Sequence, residues 1–195
     1  MQLTIIIAAI NGIVFFVLSF GGMTEDTYYM LENGAMYVPY IMENGEYYRL
    51  FTSRFLHFGF SHLLNNMVTL LVMGRYVEPI VGKVRLLILY FVSGLGGNLL
   101  SYFEEITTGN YTVSAGASGA IFGITGALFA LTIIYRGRIG HLTPRDMAFI
   151  VGISLYLVFD SEGVDNLAHI GGLICGFLMT VLMVGFPKMW FRRQS

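Results

Sequence analysis

Long apolar runs set the strongest limit on how this chain can fold. Residues 3–20 contain no charged side chain. A helix of about 18 residues at 1.5 Å per residue nearly crosses the roughly 30 Å hydrocarbon core of a bilayer. Of the 195 residues, 55% are hydrophobic and 12% are charged, whereas ordinary soluble domains carry about 25% charged residues. The composition therefore predicts an integral membrane protein, and the net charge of −1 argues against nucleic acid as a partner.

Five further apolar segments follow the first, and together they predict an all-α polytopic membrane protein that forms a single domain over residues 1–195. The six predicted transmembrane helices cover residues 3–20, 59–77, 84–103, 115–135, 145–159 and 166–186. A cleaved signal peptide is a rival interpretation of the first segment. Such a peptide needs a basic flank, which Met1-Gln2 do not supply.

Two stretches between the apolar segments carry their own structural signals. Residues 21–58 mix acidic side chains with tyrosines, a pattern typical of an amphipathic loop at the membrane interface. Thr143-Pro144-Arg145-Asp146 has the pattern of a capping box with proline at the first helical position. The fifth helix is therefore expected to begin there.

Charge is distributed unevenly between the loops on the two predicted sides of the membrane. Ten of the twelve acidic residues fall on one side and nine of the eleven basic residues on the other. The positive-inside rule then predicts that both termini are cytoplasmic and that the second, fourth and sixth spans begin at the outer face. The nine basic residues are Arg75, Lys83, Arg85, Arg136, Arg138, Arg145, Lys188, Arg192 and Arg193.

Four polar side chains lie near the outer ends of three different spans. Ser118, His169 and His62 share a depth of roughly 5 to 8 Å at 1.5 Å per residue, and Asn66 follows His62 by one turn. Polar groups inside a membrane are costly and usually face the protein interior or a water-filled cavity. Each has a structural alternative, since Ser118 can serve a close helix contact and His169 can be a hydrogen-bonded core histidine. Their common depth favours a functional site.

Serine and imidazole are the minimum equipment for nucleophilic acyl transfer. His169 would act as general base and acid for the Ser118 hydroxyl. The backbone N–H groups at the start of the Ser118 helix, with His62 and Asn66 at i and i+4, could stabilise an oxyanion. Asp165 lies one turn before His169 but is more simply a helix cap, so a dyad is favoured.

Small residues surround both members of the predicted dyad. Gly116 and Gly119 flank the segment that contains Ser118. The fourth span can approach the sixth closely if Gly119 and Gly123 face a small-residue series. That series is Ala168, Gly172 and Gly176.

With these motifs in view, the whole chain resembles the rhomboid family of intramembrane serine proteases in their minimal six-span form. Tyr48-Arg49 takes the place of a Trp-Arg signature, so the tryptophan is absent here. The remaining motifs are Gly116-Ala117-Ser118-Gly119, Ala168-His169-Ile170-Gly171-Gly172, His62-Leu63-Leu64-Asn65-Asn66, and Gly74-Arg75-Tyr76-Val77-Glu78 followed by Gly82.

The resemblance implies more than the spacing does. It implies a multi-pass protein of the cell membrane that needs no cofactor and cleaves transmembrane segments of other proteins near the outer face. It also implies substrate access between the second and fifth spans. Phe122 takes a position where the family carries an aromatic residue that packs on the histidine ring.

Three other classes of protein compete with this interpretation. A metal-dependent hydrolase could use His57, His62 and His169, but these residues lack the HExxH spacing that places two ligands on one helix face. A catalytically inactive rhomboid-like protein that escorts membrane clients would not need both Ser118 and His169. A transporter would be expected to show an inverted repeat. The substrate and the oligomeric state do not follow from the sequence.

Overall fold

A computed structural model of the chain describes residues 1–137, 139–159 and 164–185, and the regular structure within these ranges is helical. Extended pairing there is limited to two isolated bridges, between Met36 and Ser114 and between Ile139 and Leu142. The helices are α1 Gln2–Gly21, α2 Thr27–Glu32, α3 Val38–Asn44, α4 Arg49–Thr52, α5 Gly59–Val81, α6 Lys83–Thr108, α7 Ser118–Ile134, α8 Pro144–Phe159 and α9 Asn166–Thr180.

Several of these helices can cross a membrane by length and composition. α1, α6 and the continuous helix Asn166–Gly185 meet both criteria, and α5 does so when joined to Arg49–Phe55, from which it is bent by 90°. α7 is apolar but has 17 residues, and α8 has 16. The all-helical membrane class is confirmed, while six spans and cytoplasmic termini stay predictions. Arg138, Lys188, Arg192, Arg193 and residue 186 lie outside the described residues.

The helix ends differ from the predicted spans because local backbone geometry, rather than apolar content, stops a helix. α5 continues beyond residue 77 until Gly82, whose φ of 81° is not helical. α6 continues beyond residue 103 to Gly109, which adopts the left-handed conformation that glycine tolerates best. α7 begins at Ser118 rather than 115, because Gly116 has a φ of 146°. α7 is thus shorter than the predicted fourth span.

The capping box predicted before α8 is confirmed by its hydrogen bonds. The Thr143 hydroxyl lies 2.7 Å from the Asp146 carboxylate, which also accepts the Thr143 N–H. The Asp146 N–H in turn donates to the Thr143 hydroxyl oxygen. This reciprocal arrangement satisfies donors that a helix start leaves free.

The first loop, residues 21–58, is folded rather than irregular, and Arg49 holds it together. The buried Arg49 guanidinium donates to the carbonyls of Leu31 at 2.6 Å and Ala35 at 2.8 Å. It also forms an ion pair of 2.6 Å with Glu46. Hydrogen bonds from the Tyr48 hydroxyl and then from Arg49 hold the pKa of Glu46 below its ordinary value of 4.5. These contacts hold together the segment that leads into α5.

Glu78 is a buried acid that accepts hydrogen bonds from the start of α1. Its carboxylate accepts the Thr4 hydroxyl at 2.6 Å and the N–H groups of Thr4 and Leu3 at 2.9 and 3.1 Å. A carboxylate at a helix start complements the positive end of the helix dipole. These hydrogen bonds explain why Glu78 is buried, so its position does not require a role in transport.

Helix α7 lies at the centre of the bundle, packed against α9, α6 and α5. Of its 17 residues, twelve are buried. Glycines allow this packing, since a Cβ on Gly172 would overlap the Gly119 carbonyl and one on Gly176 would overlap the Gly123 carbonyl. Such small-residue contacts are the usual way for membrane helices to approach closely. The packing fixes how α9 sits against the start of α7.

Candidate active site

Ser118 is the first residue of α7, so its position depends on the turn before it. The Gly116 N–H donates to the Ser53 carbonyl at 3.0 Å, and Ala117 is the N-cap residue. A Cβ on Gly116 would lie 2.9 Å from the His62 ring and 3.5 Å from the Ser118 hydroxyl oxygen. Glycine is therefore required here both by φ and by space.

His169 lies in the first turn of α9 and reaches Ser118 across the α7–α9 contact. Its Nε2 atom is 2.6 Å from the Ser118 Oγ atom. The ring is 4% exposed, and it stacks on Phe122 with the ring centroids 4.6 Å apart and the planes inclined by 19°. Because Phe122 lies one turn below Ser118, α7 supplies both the hydroxyl and the surface that orients the imidazole.

No carboxylate completes a triad among the described residues. The Asp165 carboxylate accepts the Ala168 N–H at 2.8 Å and the Ser101 hydroxyl at 2.6 Å. It therefore caps α9 and links that helix to α6. The His169 Nδ1 atom is buried and has no hydrogen-bond partner within the described residues. The geometry brings together two side chains, those of Ser118 and His169, rather than three.

His62 and Asn66 lie on one face of α5, beside the start of α7. The Asn66 side chain is 6% exposed, and its amide nitrogen donates to the His62 carbonyl at 2.9 Å. The same nitrogen carries a second hydrogen, which leaves one donor free for a ligand. The N–H groups of Ser118 and Gly119 have no acceptor within the described parts of the chain. All of these donors belong to the same cavity.

The cavity has a volume of about 780 Å³ and is lined by the dyad, by both α5 donors and by the facing side of α8. Its α5 wall includes Asn65 and Thr69, and its α8 wall includes Ser154 and Leu157. Asn65, Thr69 and Ser154 give this part of the cavity, between α5 and α8, polar walls. This volume lies within the range of ordinary ligand sites, about 300–1,000 Å³.

A metal centre was the rival use of the histidines. Over residues 1–137, 139–159 and 164–185, no three His, Cys, Asp or Glu side chains are grouped closely enough to hold an ion. His57 and His62 do contact each other, with their ring centroids 5.2 Å apart. His169 instead faces Ser118 and Phe122.

The comparison with known protein families decides where this site belongs. The family model described as the rhomboid domain matches residues 44–186. The chain belongs to the rhomboid family. The resemblance predicted from the sequence motifs is thereby confirmed, and the matched residues include Ser118, His169 and the α5 pair.

Individual rhomboid relatives match across most of this chain. RHOMBOID-like protein 1 of Arabidopsis thaliana is 36% identical over 165 residues, which is 83% of this chain and 41% of that protein. Rhomboid protease GluP of Bacillus subtilis is 35% identical over 185 residues, 95% of this chain and 35% of GluP. The B. subtilis protein YdcA is 35% identical over 141 residues, 72% of this chain and 69% of YdcA. The chain thus spans less than half of the length of the first two relatives.

Two features of this rhomboid site do not follow from its sequence motifs. Ser53 and His57 both contact the turn before Ser118, through the Gly116 and Ala117 N–H groups. They lie 60 or more residues earlier in the chain and have no spacing relation to the serine. His57 carried a weak signal as a polar residue next to a span, which the sequence assigned only to the rival metal site.

Proposed function

We propose that this rhomboid is an intramembrane serine endopeptidase that hydrolyses peptide bonds in or near the transmembrane segments of other membrane proteins. One observation carries the proposal, the 2.6 Å contact between Ser118 Oγ and His169 Nε2. The accepting atom of a general base must lie within about 2.6–3.2 Å of the heavy atom that carries the proton it removes. The 2.6 Å contact satisfies that requirement.

The reaction begins with the neutral imidazole, whose Nε2 accepts the Ser118 proton as Oγ attacks the carbonyl carbon of the substrate. The imidazolium then gives this proton to the leaving amine as the peptide C–N bond breaks, which leaves an ester on Ser118. Water attacks the ester with His169 again as the base. The C–O bond to Ser118 breaks, the serine regains its proton, and the carboxylic acid product departs.

Negative charge develops on the substrate carbonyl oxygen in both halves of the reaction, and donors must be in place before it forms. We assign this oxyanion hole to the Ser118 backbone N–H, the Asn66 amide and the His62 ring. The N–H lies at the start of α7, where the helix dipole favours negative charge. Phe122 has a second electrostatic role, because its ring face attracts the imidazolium that forms on His169.

Substrates are proposed to reach the cavity laterally, between α5 and α8. Support comes from the cavity lining, in which Thr69 of α5 and Ser154 of α8 take part. α8 also contacts α7 and α9 much less extensively than α7 contacts α9, so α8 is held loosely against the rest of the bundle. Opening of a weakly held element is a common way to admit substrate. The cavity is proposed to open toward the extracytoplasmic side, as the charge pattern predicts.

Cleavage of a labelled single-span membrane protein by the purified protein in detergent tests the proposal. The wild type should release the fragment, whereas Ser118→Ala and His169→Ala should be inactive yet folded, because the two residues act as one unit. A fluorophosphonate should modify the wild type at Ser118. Cleavage by Ser118→Ala at the wild-type rate would exclude the serine mechanism. A wild type that binds the substrate without cleaving it would instead indicate an inactive, client-binding rhomboid.

A further inference from the structure

His57 is buried beside the active site, yet the proposed chemistry does not use it. Its side chain is 1% exposed. It lies between the 3₁₀ turn Ser53–Phe55 and the start of α5, in the 90° bend that joins the two. A buried polar side chain is costly unless it is hydrogen-bonded. The partner of this histidine is therefore informative.

The His57 Nε2 atom accepts the Ala117 N–H at 3.5 Å. This bond requires the neutral tautomer with the proton on Nδ1. Four residues before His57, the Ser53 carbonyl accepts the Gly116 N–H at 3.0 Å. Two consecutive N–H groups before Ser118 are thus held by the segment that leads into α5.

The next N–H groups along the chain are free. Those of Ser118 and Gly119 have no acceptor within the described residues. Their directions depend on the peptide planes that precede them, because successive peptide planes share a Cα atom and rotate only about φ and ψ. The hydrogen bond from the Ala117 N–H to His57 therefore helps to set the direction of the first free N–H groups of α7.

His57 also supports the other side of the same site. Its ring meets that of His62 edge to face, with the centroids 5.2 Å apart. The His62 ring in turn lies against the Gly116 backbone, where a Cβ would come within 2.9 Å. One buried side chain thus contacts both the turn that carries the backbone donors and the ring that supplies a side-chain donor.

We propose that His57 is a positioning residue for the oxyanion hole, which it aligns by accepting the Ala117 N–H and by packing against the His62 ring. This inference rests on the proposed protease function. His57 does not touch the reacting atoms. Its contribution is to hold donors in place before charge develops, and it should therefore affect turnover rather than substrate binding.

The test compares His57→Gln with His57→Asn, with His141→Gln as the control. The terminal oxygen of glutamine can occupy the place of the imidazole Nε2 and accept the Ala117 N–H, whereas the shorter asparagine cannot reach it. His141 is exposed in the loop before α8, so its replacement should change nothing. For each protein we would measure kcat and KM with the single-span substrate, together with the thermal unfolding temperature.

We expect His57→Gln to retain most of the wild-type kcat. His57→Asn should lower kcat by about 10- to 100-fold, the loss expected for donors displaced by about 1 Å. KM should be nearly unchanged in both variants. The effect of His57→Asn should also be smaller in an Asn66→Ala background, because both changes act on one donor set. Equal kcat values for the two variants, including equal loss of activity, would overturn the inference. The proposed function would still stand after that result if the wild type cleaves the substrate and Ser118→Ala does not. Absence of cleavage by the wild type would overturn both.

Discussion

Gly172 of α9 lies directly against the backbone carbonyl of Gly119 in α7, with no space for a Cβ atom between them. Gly172 is one turn below His169, and Gly119 follows Ser118. The distance between the two helices at this contact therefore sets the distance between the Ser118 and His169 side chains. The dyad geometry depends on a contact made by backbone atoms.

Gly172→Val should remove most activity although it adds only apolar atoms. Overpacking of this kind typically costs about 1–3 kcal/mol of stability, and a shift of about 1 Å in the reacting groups can cost about 100-fold in rate. Activity and thermal stability should be measured on the same purified sample. Gly12→Val is the matched control, because a Cβ on Gly12 meets nothing within 4 Å. A folded Gly172→Val protein with wild-type turnover would show that this contact does not set the dyad distance.

Asn66→Ala should lower kcat by about 10- to 1000-fold with little change in KM, since the loss of one oxyanion donor acts on the transition state. His62→Ala should act in the same direction. Steady-state kinetics with the single-span substrate provide the measurement. Asn65→Ala, which also alters the cavity wall, should leave kcat near its wild-type value. A raised KM with unchanged kcat would reassign Asn66 to substrate positioning.

Phe122→Leu should lower kcat by about 2- to 10-fold, the equivalent of the roughly 0.5–1.5 kcal/mol of an aromatic pair. Phe122→Tyr should retain activity because it keeps the ring that stacks on His169. Phe129→Leu is the control, since Phe129 lies in the same helix but packs on Phe177 instead. If Phe122→Leu and Phe129→Leu turn over at the same rate, the stacking has no part in catalysis.

Joining α5 to α8 should block cleavage of membrane substrates. Cys175 is the single cysteine of the chain and would first be replaced by serine. Cysteines introduced at Thr69 and Ser154 and linked by a bifunctional thiol reagent would then close the proposed lateral opening. The small fluorophosphonate should still modify Ser118, which would show that the dyad is intact. Each single-cysteine protein treated with the same reagent is the control. Cleavage that continues unchanged after complete cross-linking would place the substrate path elsewhere.

The charge pattern predicts opposite sides of the membrane for two exposed loops. Cysteine at Asn110 should react with an impermeant maleimide from outside intact cells, whereas cysteine at His141 should react only after the membrane is opened, both in a Cys175→Ser background. The positive-inside rule is the physical basis of this expectation. Equal labelling of the two positions in intact cells would refute the six-span topology.

The sequence predicted the helical membrane class well, because apolar length is a one-dimensional property. It also predicted the capping box before α8, which depends on residues three positions apart. The start of α7 was predicted three residues early, because apolar content does not reveal that Gly116 leaves the helical conformation. Local signals were thus reliable where the structure depends on local contacts.

The pairing of Ser118 with His169 could be predicted because their chemistry has few other uses at that depth. The role of Ser53 and His57 at the turn before Ser118 could not, since it depends on a 90° bend between α4 and α5. Likewise, only the fold shows that Gly97 of α6 packs on the Ala168 carbonyl, one residue before His169.

Because α7 is short, the thickness of the surrounding lipid bilayer should affect this site. Its 17 residues span about 26 Å at 1.5 Å per residue, less than the roughly 30 Å of an average hydrocarbon core. In the proposed topology Ser118 begins α7 at its outer end, so the shortfall brings the outer boundary of the membrane toward Ser118. A bilayer adapts to a short helix by thinning, at a fraction of a kcal/mol per Å. Acyl-chain length around the protein should therefore tune how readily water meets Ser118, and the host membrane becomes part of the catalytic environment.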